Sequence, residues 1–274
     1  MEPSINKDTQ LCMSLSGRPG NFGTRFHNFL YRELGLNFVY KAFTTSDLPG
    51  AITGIRALSI RGCAVSMPFK ERCIGLIDGL DPSAKGIMSV NTIVNSDGNL
   101  KGYNTDYTAV TSLLQSRGVS SNMEFVLRGS GGMAKAVACA LRDAGFANGT
   151  IVARNESAGK DLASLYGYRW ASDLPAPGAG LLVNVTPIGM AGGPEAEELS
   201  FPSDMIESAR MVFDVVAIPA DTPLIKSANS MGKPFISGAD VIVLQAVEQF
   251  VLYTGVRPSD ELIANAAAFA RMAY

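Results

Sequence analysis

Residues 125–136 read Phe-Val-Leu-Arg-Gly-Ser-Gly-Gly-Met-Ala-Lys-Ala, and this stretch constrains the fold more than any other. An apolar run, a glycine turn and a helix-forming run follow one another without a break. Gly129, Gly131 and Ala134 fit the spacing G-x-G-x-x-G/A. Each small residue has a physical task in that pattern. Gly129 permits a tight turn out of the strand, and Gly131 lets the backbone approach a pyrophosphate. Ala134 allows the helix to pack closely on the strand. The helix N-terminus then offers free N–H groups and a positive dipole end to phosphates. A strand before and a helix after favour nucleotide binding over a plain loop.

The rest of the chain is compatible with such a unit. Short β-branched apolar runs alternate with longer helical patterns, which favours parallel α/β sheets. Strands are expected at 11–16, 38–43 and 62–66, and helices at 24–34 and 47–58. Ser46 or Asp47 is the expected cap of the second helix. A short helix is expected around 70–77. Strands at 90–95 and 100–103 flank Asp97-Gly98, a hairpin signal. A helix follows Asp106 and closes a first series. The second series has strands at 125–127, 150–153, 181–184 and 212–216, with helices at 133–144 and 157–166. From Ala239 onward the pattern is largely helical. The expected fold class is α/β with two domains, the second of Rossmann type.

Composition limits the function classes. With 274 residues, 47% of them hydrophobic, the chain can bury the cores of two modest domains. Lys and Arg total 23 against 25 Asp and Glu, a net charge of −2 without a basic block. That argues against nucleic acid as a partner. No apolar run approaches the ~20 residues needed to span a bilayer. The first residues, Met-Glu-Pro-Ser-Ile-Asn-Lys-Asp, show no apolar signal core. A cytoplasmic protein without membrane contact is therefore expected. Cys12, Cys63, Cys73 and Cys139 are widely spaced and His27 is the single histidine. That pattern predicts reduced, buried thiols and no metal site.

Charged residues at strand ends refine the reading. Arg154 stands where the strand after the glycine turn should end, and Lys160 follows six residues later. An arginine there accommodates a 2′-phosphate, which favours NADP over NAD. Glu156 close by keeps NAD open as the less favoured cofactor. Lys70 follows a strand and Pro68, at a strand edge where α/β sheets bind ligands. Asp106 ends the first series. A lysine and an aspartate converging on an interdomain cleft suit the proton transfer that accompanies hydride transfer. Taken alone, each would be read as a surface charge.

Several segments together resemble the shikimate dehydrogenase family, and most closely its shikimate dehydrogenase-like branch. They are Ser14-Leu15-Ser16, Phe26-His27-Asn28, Val65-Ser66-Met67-Pro68-Phe69-Lys70, Ser89-Val90-Asn91-Thr92 and Asn104-Thr105-Asp106. Gly129-Ser130-Gly131-Gly132, Asn184-Val-Thr-Pro-Ile-Gly-Met190, Asp214 through Leu224, Gly238 and Gln245-Ala246 continue the series. They fall in the family's order over nearly the whole chain. The resemblance implies an NADP-dependent oxidoreductase that interconverts 3-dehydroshikimate and shikimate, in the biosynthetic route to chorismate and the aromatic amino acids. It implies a discontinuous substrate-binding domain, 1–106 with 239–274, and an NADP-binding Rossmann domain, 107–238. Lys70 and Asp106 would be the catalytic pair. Ser14, Ser16, Ser66, Asn91 and Gln245 would bind a small ring acid. Gly129, Ser130, Gly131, Gly132, Met133, Ala134, Arg154, Asn184, Thr186, Met190 and Gly238 would bind the cofactor.

The chain also departs from the family's pattern. Ala64, Tyr107 and Ala217 replace the usual Asn, Gly and Tyr, and Ala158 stands where a second basic residue is common. Each lost hydrogen bond is worth about 1 kcal/mol. Slow turnover, or preference for a related ring acid such as quinate, is expected on that ground. Tyr107 beside Asp106 is expected to narrow the pocket. A nucleotide-binding sensor without chemistry is the reading from another class, and retention of both Lys70 and Asp106 argues against it. The oligomeric state is left open.

Overall fold

The computed structural model describes residues 5–272. They fold as two compact units. One ends at Thr105 and resumes at Val243, and the other comprises Asp106–Ile242. The first unit contains β1 (Gln10–Leu15), α1 (Phe22–Glu33), β2 (Phe38–Phe43), α2 (Leu48–Ala57) and β3 (Gly62–Val65). It continues with β4 (Gly79–Leu80), α3 (Pro82–Lys85), β5 (Thr92–Ser96) and β6 (Asn99–Tyr103). The second unit takes in most of α4 (Thr105–Ser116), then β7 (Phe125–Arg128), α5 (Gly132–Asp143), β8 (Gly149–Val152), α6 (Glu156–Tyr166) and β9 (Arg169–Ala171). It ends with β10 (Leu181–Asn184), α7 (Ser203–Ser208), β11 (Met211–Asp214), α8 (Pro223–Ser230) and β12 (Phe235–Ile236). Helix α9 (Gly238–Thr254) carries the chain back to the first unit, where α10 (Asp260–Arg271) completes it.

The first sheet has the order β2-β1-β3-β5-β6-β4. Strands β2, β1 and β3 run parallel, whereas β5 is antiparallel to β3 and β6 to β5. The β5–β6 hairpin turns at Asp97 and Gly98, both with positive φ (52° and 87°), the conformation that a two-residue type I′ turn requires. Asp47 caps α2 by accepting from Gly50 N at 2.9 Å, as one of the two expected caps. Apolar cores cover both faces of the sheet. One contains Leu48, Ile52 and Ile55 of α2, and the other packs α1, α9 and α10 around Phe26, Leu30, Phe250 and Ala266.

His27 lies inside that second core. It is fully buried, with its ring stacked on Tyr40 at 4.5 Å and Phe250 at 6.1 Å. Neither ring nitrogen has a hydrogen-bond partner of good geometry among the described residues, although the Gln249 side chain approaches the ring. Burial pushes its pKa from 6.5 down to about 3 against the smaller opposing pull of Gln249, because the charged form would lose most of its hydration.

The second sheet is entirely parallel, with the order β12-β11-β10-β7-β8-β9. Read from β9, this is the doubly wound order 3-2-1-4-5-6, with the direction of winding reversing between β7 and β10. The four cysteines are free and buried, as the composition implied. No described helix is long and apolar enough to cross a membrane. Among the described residues, no cluster of His, Cys, Asp and Glu could hold a metal.

One expected element is different. Residues 70–77 form turns with a single 3-10 segment, Ile74–Leu76, instead of a helix. The cause is a diverted acceptor: Lys70 O takes Val90 N at 2.9 Å, and Ile74 N turns to Glu71 O. The carbonyl that would open an α-helical ladder is committed to another segment.

Candidate active site

In the first unit the polar side chains singled out in the sequence gather at the C-terminal ends of the parallel strands. Ser14 lies in β1 opposite Ala64 of β3. Just beyond the strands, Ser16 N donates to Phe43 O (3.1 Å) and Ser66 N donates to Leu15 O (2.9 Å). Ladder bonds therefore hold Ser16 and Ser66 side by side. Val65 N donates to Asn91 O (2.7 Å), and the bond from Val90 N to Lys70 O fixes the Lys70 turn beside Asn91. Asn91 is buried, and its Oδ1 accepts from Thr105 N (2.7 Å) and Thr92 Oγ1 (2.8 Å). Its Nδ2 faces Gln245 Oε1 at 3.4 Å. Gln249 Nε2 donates to Thr92 Oγ1 at 3.1 Å and stands 3.5 Å from Gln245 Oε1. One turn of α9 is thus tied to the strand edge that carries Asn91. The Ser14, Ser16, Ser66, Lys70, Asn91 and Gln245 segments meet at one edge of the sheet.

In the second unit a cavity of about 620 Å³ opens at the C-terminal ends of β7, β8, β9 and β10, beside the reversal point where doubly wound sheets bind ligands. Gly129, Ser130, Gly131, Arg154 and Thr186 line it. Gly129 has φ +124°, and a Cβ there would come within 3.1 Å of the Val185 backbone. Only glycine suits that turn. A Cβ on Gly131 would meet nothing within 4 Å, so the space above it is open to a ligand. Ala134 is fully buried in α5. Gly132 and Met133 open the same helix. The Arg154 side chain is 83% exposed and reaches Glu195 at 3.9 Å.

Asn184 lies beneath the cavity wall and is fully buried. Its Oδ1 accepts from Thr186 N (3.0 Å) and Thr186 Oγ1 (2.6 Å), and its Nδ2 donates to Ile188 O (3.2 Å) and Asp214 Oδ1 (3.0 Å). The side chain folds the 186–188 loop that lines the cavity. Asp214 also accepts from Thr222 Oγ1 (2.6 Å) and Val216 N (3.1 Å). Burial pushes its pKa from 3.8 up to about 6, against the pull of those donors. Gly238 packs on backbone: a Cβ would fall 2.4 Å from Val215 O. Met190 is exposed on the loop after β10. Asn184, Met190 and Gly238 are not among the residues that line the cavity.

Asp106 is buried at the start of α4. Tyr107 turns elsewhere. Its hydroxyl donates to Asp143 Oδ2 at 2.8 Å, at the end of α5 opposite the glycine turn. Arg128 also lines the cavity, and Glu195 meets Arg154 beside it; neither has a signature in the sequence. Arg128 occupies an x position just ahead of the glycine pattern, and Glu195 belongs to a loop without periodicity.

A doubly wound parallel unit with a glycine turn at its reversal point, paired with a second α/β unit whose strand edge is rich in hydroxyl and amide groups, defines a two-domain, Rossmann-type α/β protein. Comparison with known proteins makes this specific. The family described as the shikimate dehydrogenase substrate binding domain matches residues 22–93. A "shikimate dehydrogenase-like protein" of Haemophilus influenzae is 60% identical over 270 residues, covering 98% of this chain and 100% of the relative. A "shikimate dehydrogenase (NADP(+))" of Moorella thermoacetica is 36% identical over 247 residues, covering 84% and 82%. The solved structure of the Thermus thermophilus shikimate 5-dehydrogenase in complex with NADP(H) and shikimate superposes with a TM-score of 0.84. It is 28% identical, and the match covers 95% of this chain and 99% of that one. The chain belongs to the shikimate dehydrogenase family.

Proposed function

We propose that the protein is an NADP-dependent oxidoreductase that interconverts a cyclic keto acid and its hydroxy acid, with 3-dehydroshikimate and shikimate as the favoured pair. The observation that carries the reading is the polar strand edge of the first unit. Ser14, Ser16, Ser66, Asn91 and Gln245 offer hydroxyl and amide groups suited to the carboxylate and ring hydroxyls of a small acid. The cavity of the second unit supports the cofactor assignment. It has an open space above Gly131, the free N–H groups that begin α5 and an exposed Arg154 suited to a 2′-phosphate.

The chemistry asks little else of the chain. The reduced nicotinamide supplies a hydride to the carbonyl carbon, and the oxygen must then gain a proton. Lys70, as an ammonium, stabilises the charge that develops on that oxygen and donates the proton. Asp106 is the second member of the proposed pair, the carboxylate assigned to orient that ammonium. In the oxidation direction Lys70 takes the hydroxyl proton back. Lys70→Ala is expected to abolish turnover while leaving NADP affinity within about twofold, since it removes a proton donor and no cofactor contact. Steady-state rates and calorimetric titration of NADP check this. A folded Lys70→Ala protein with near-native turnover contradicts the assignment.

A further inference from the structure

The nucleotide cavity holds a second cation that the glycine pattern does not call for. Among the described residues that line it, Arg128 and Arg154 are the only cations. Arg128 is the last residue of β7 and is half-buried. Its Nη1 donates to Ser200 O, which fixes the guanidinium in the cavity wall and leaves other N–H groups of its fork free for an anion. Burial acts against its charge, and Arg154 adds to that penalty, whereas Glu195 and Glu198 relieve it. Both arginines therefore lie within electrostatic range of one another and of the Glu195 carboxylate. Glu195 is held in place by its own backbone, with Gly189 N donating to Glu195 O at 2.9 Å.

Helix α6 does not supply a competing cation. Ala158 is apolar, and Lys160 is paired with Glu156 at 2.6 Å. Two guanidiniums line the cavity against one lining carboxylate, Asp173, with Glu195 on Arg154 at 3.9 Å, and a paired set of cations of this kind suits a dianion better than a monoanion. A phosphate can take bidentate bonds from both forks, and Arg128 is already immobilised, so less entropy is lost on binding.

We propose that Arg128 acts with Arg154 to select the 2′-phosphate of the cofactor, and that Glu195 is the counter-ion which this phosphate replaces. The inference rests on the NADP reading above. It predicts that cofactor selection is divided between the end of β7, the end of β8 and the loop after β10.

The test titrates adenosine 2′,5′-bisphosphate and 5′-AMP calorimetrically into the full chain and compares their affinities. The wild type should prefer the bisphosphate by about tenfold or more, the worth of one charge-assisted hydrogen bond. Arg128→Gln should cut that ratio about tenfold while leaving 5′-AMP within about twofold. Arg128→Lys should restore part of the ratio, because it returns the charge without the fork. Glu195→Gln, a change on a loop, should raise the ratio several-fold and decides the matter if Arg128→Gln does not fold. An unchanged ratio in Arg128→Gln and Glu195→Gln overturns the inference and leaves the NADP reading standing. So does a parallel loss of both nucleotides in folded Arg128→Gln. A wild type with no preference for the bisphosphate removes the NADP reading itself, and the inference with it.

Discussion

A histidine held in its neutral form makes acid stability sensitive to that side chain. Folded His27 stays neutral down to about pH 3, whereas its ordinary value is 6.5. Between those values the unfolded chain binds the extra proton, so acid favours unfolding by up to about 1.4 kcal/mol per pH unit. Asp214 has the opposite sign. Its folded value is about 6 against 3.8, so between them the folded chain binds the extra proton and acid favours folding. The two contributions offset each other where they overlap. His27→Phe keeps the aromatic stack and removes only the first contribution. Its stability relative to wild type should therefore rise steadily as the pH falls from 6.5 toward 3. Urea unfolding midpoints across that range check it, and a difference independent of pH contradicts it.

Element by element, the structure depends on side chains that fix loops between regular segments. Asn184 and Asp214 stand at the ends of adjacent strands, paired in register. Together they hold the 186–188 loop, Val216 N and the Thr222 cap of α8. Asp214→Ala would leave Asn184 Nδ2 and Thr222 Oγ1 short of an acceptor in a buried place. A loss of about 3 kcal/mol is expected, from at least two buried donors at 1–3 kcal/mol each. Asp214→Asn, which keeps one oxygen acceptor, should lose less. Equal stabilities of the three proteins in urea would exclude this role.

Elements of this kind were the hardest to read in advance. Strands β1, β2, β7, β8 and β10 and helices α1, α2, α5 and α6 announce themselves by apolar runs or by period. Strands β4, β9 and β12 and helices α3, α7 and α8 have two to eight residues, too few to show a repeat. The helix expected over 70–77 failed for a different reason. Its first acceptor belongs to Val90, and a long-range hydrogen bond of this kind has no signature in local sequence.

Across the whole molecule, the chain leaves its first unit at Asp106 and returns at Val243. Continuity in sequence is therefore a poor guide to membership of a unit. Gln245, remote in sequence from Asn91, faces it at 3.4 Å. Local pattern made the glycine turn legible, because Gly129 needs its φ of +124° whatever surrounds it. The strand-edge polar residues became legible only through family resemblance, since a serine or asparagine near a strand end is ordinarily a turn or cap residue. Arg128 has no such local signature, because its surroundings are a cavity assembled from four strand ends.

NADP-linked redox chemistry on a small ring acid is the activity proposed for this scaffold. The most direct measurement follows the absorbance of reduced nicotinamide while wild-type protein is given shikimate or quinate, each with NADP and with NAD. Reduction of NADP with shikimate is expected, slower than the complete set of polar contacts would allow, and lost in Lys70→Ala. Tight NADP binding with no hydride transfer from either acid would contradict it and leave a nucleotide-binding sensor in its place.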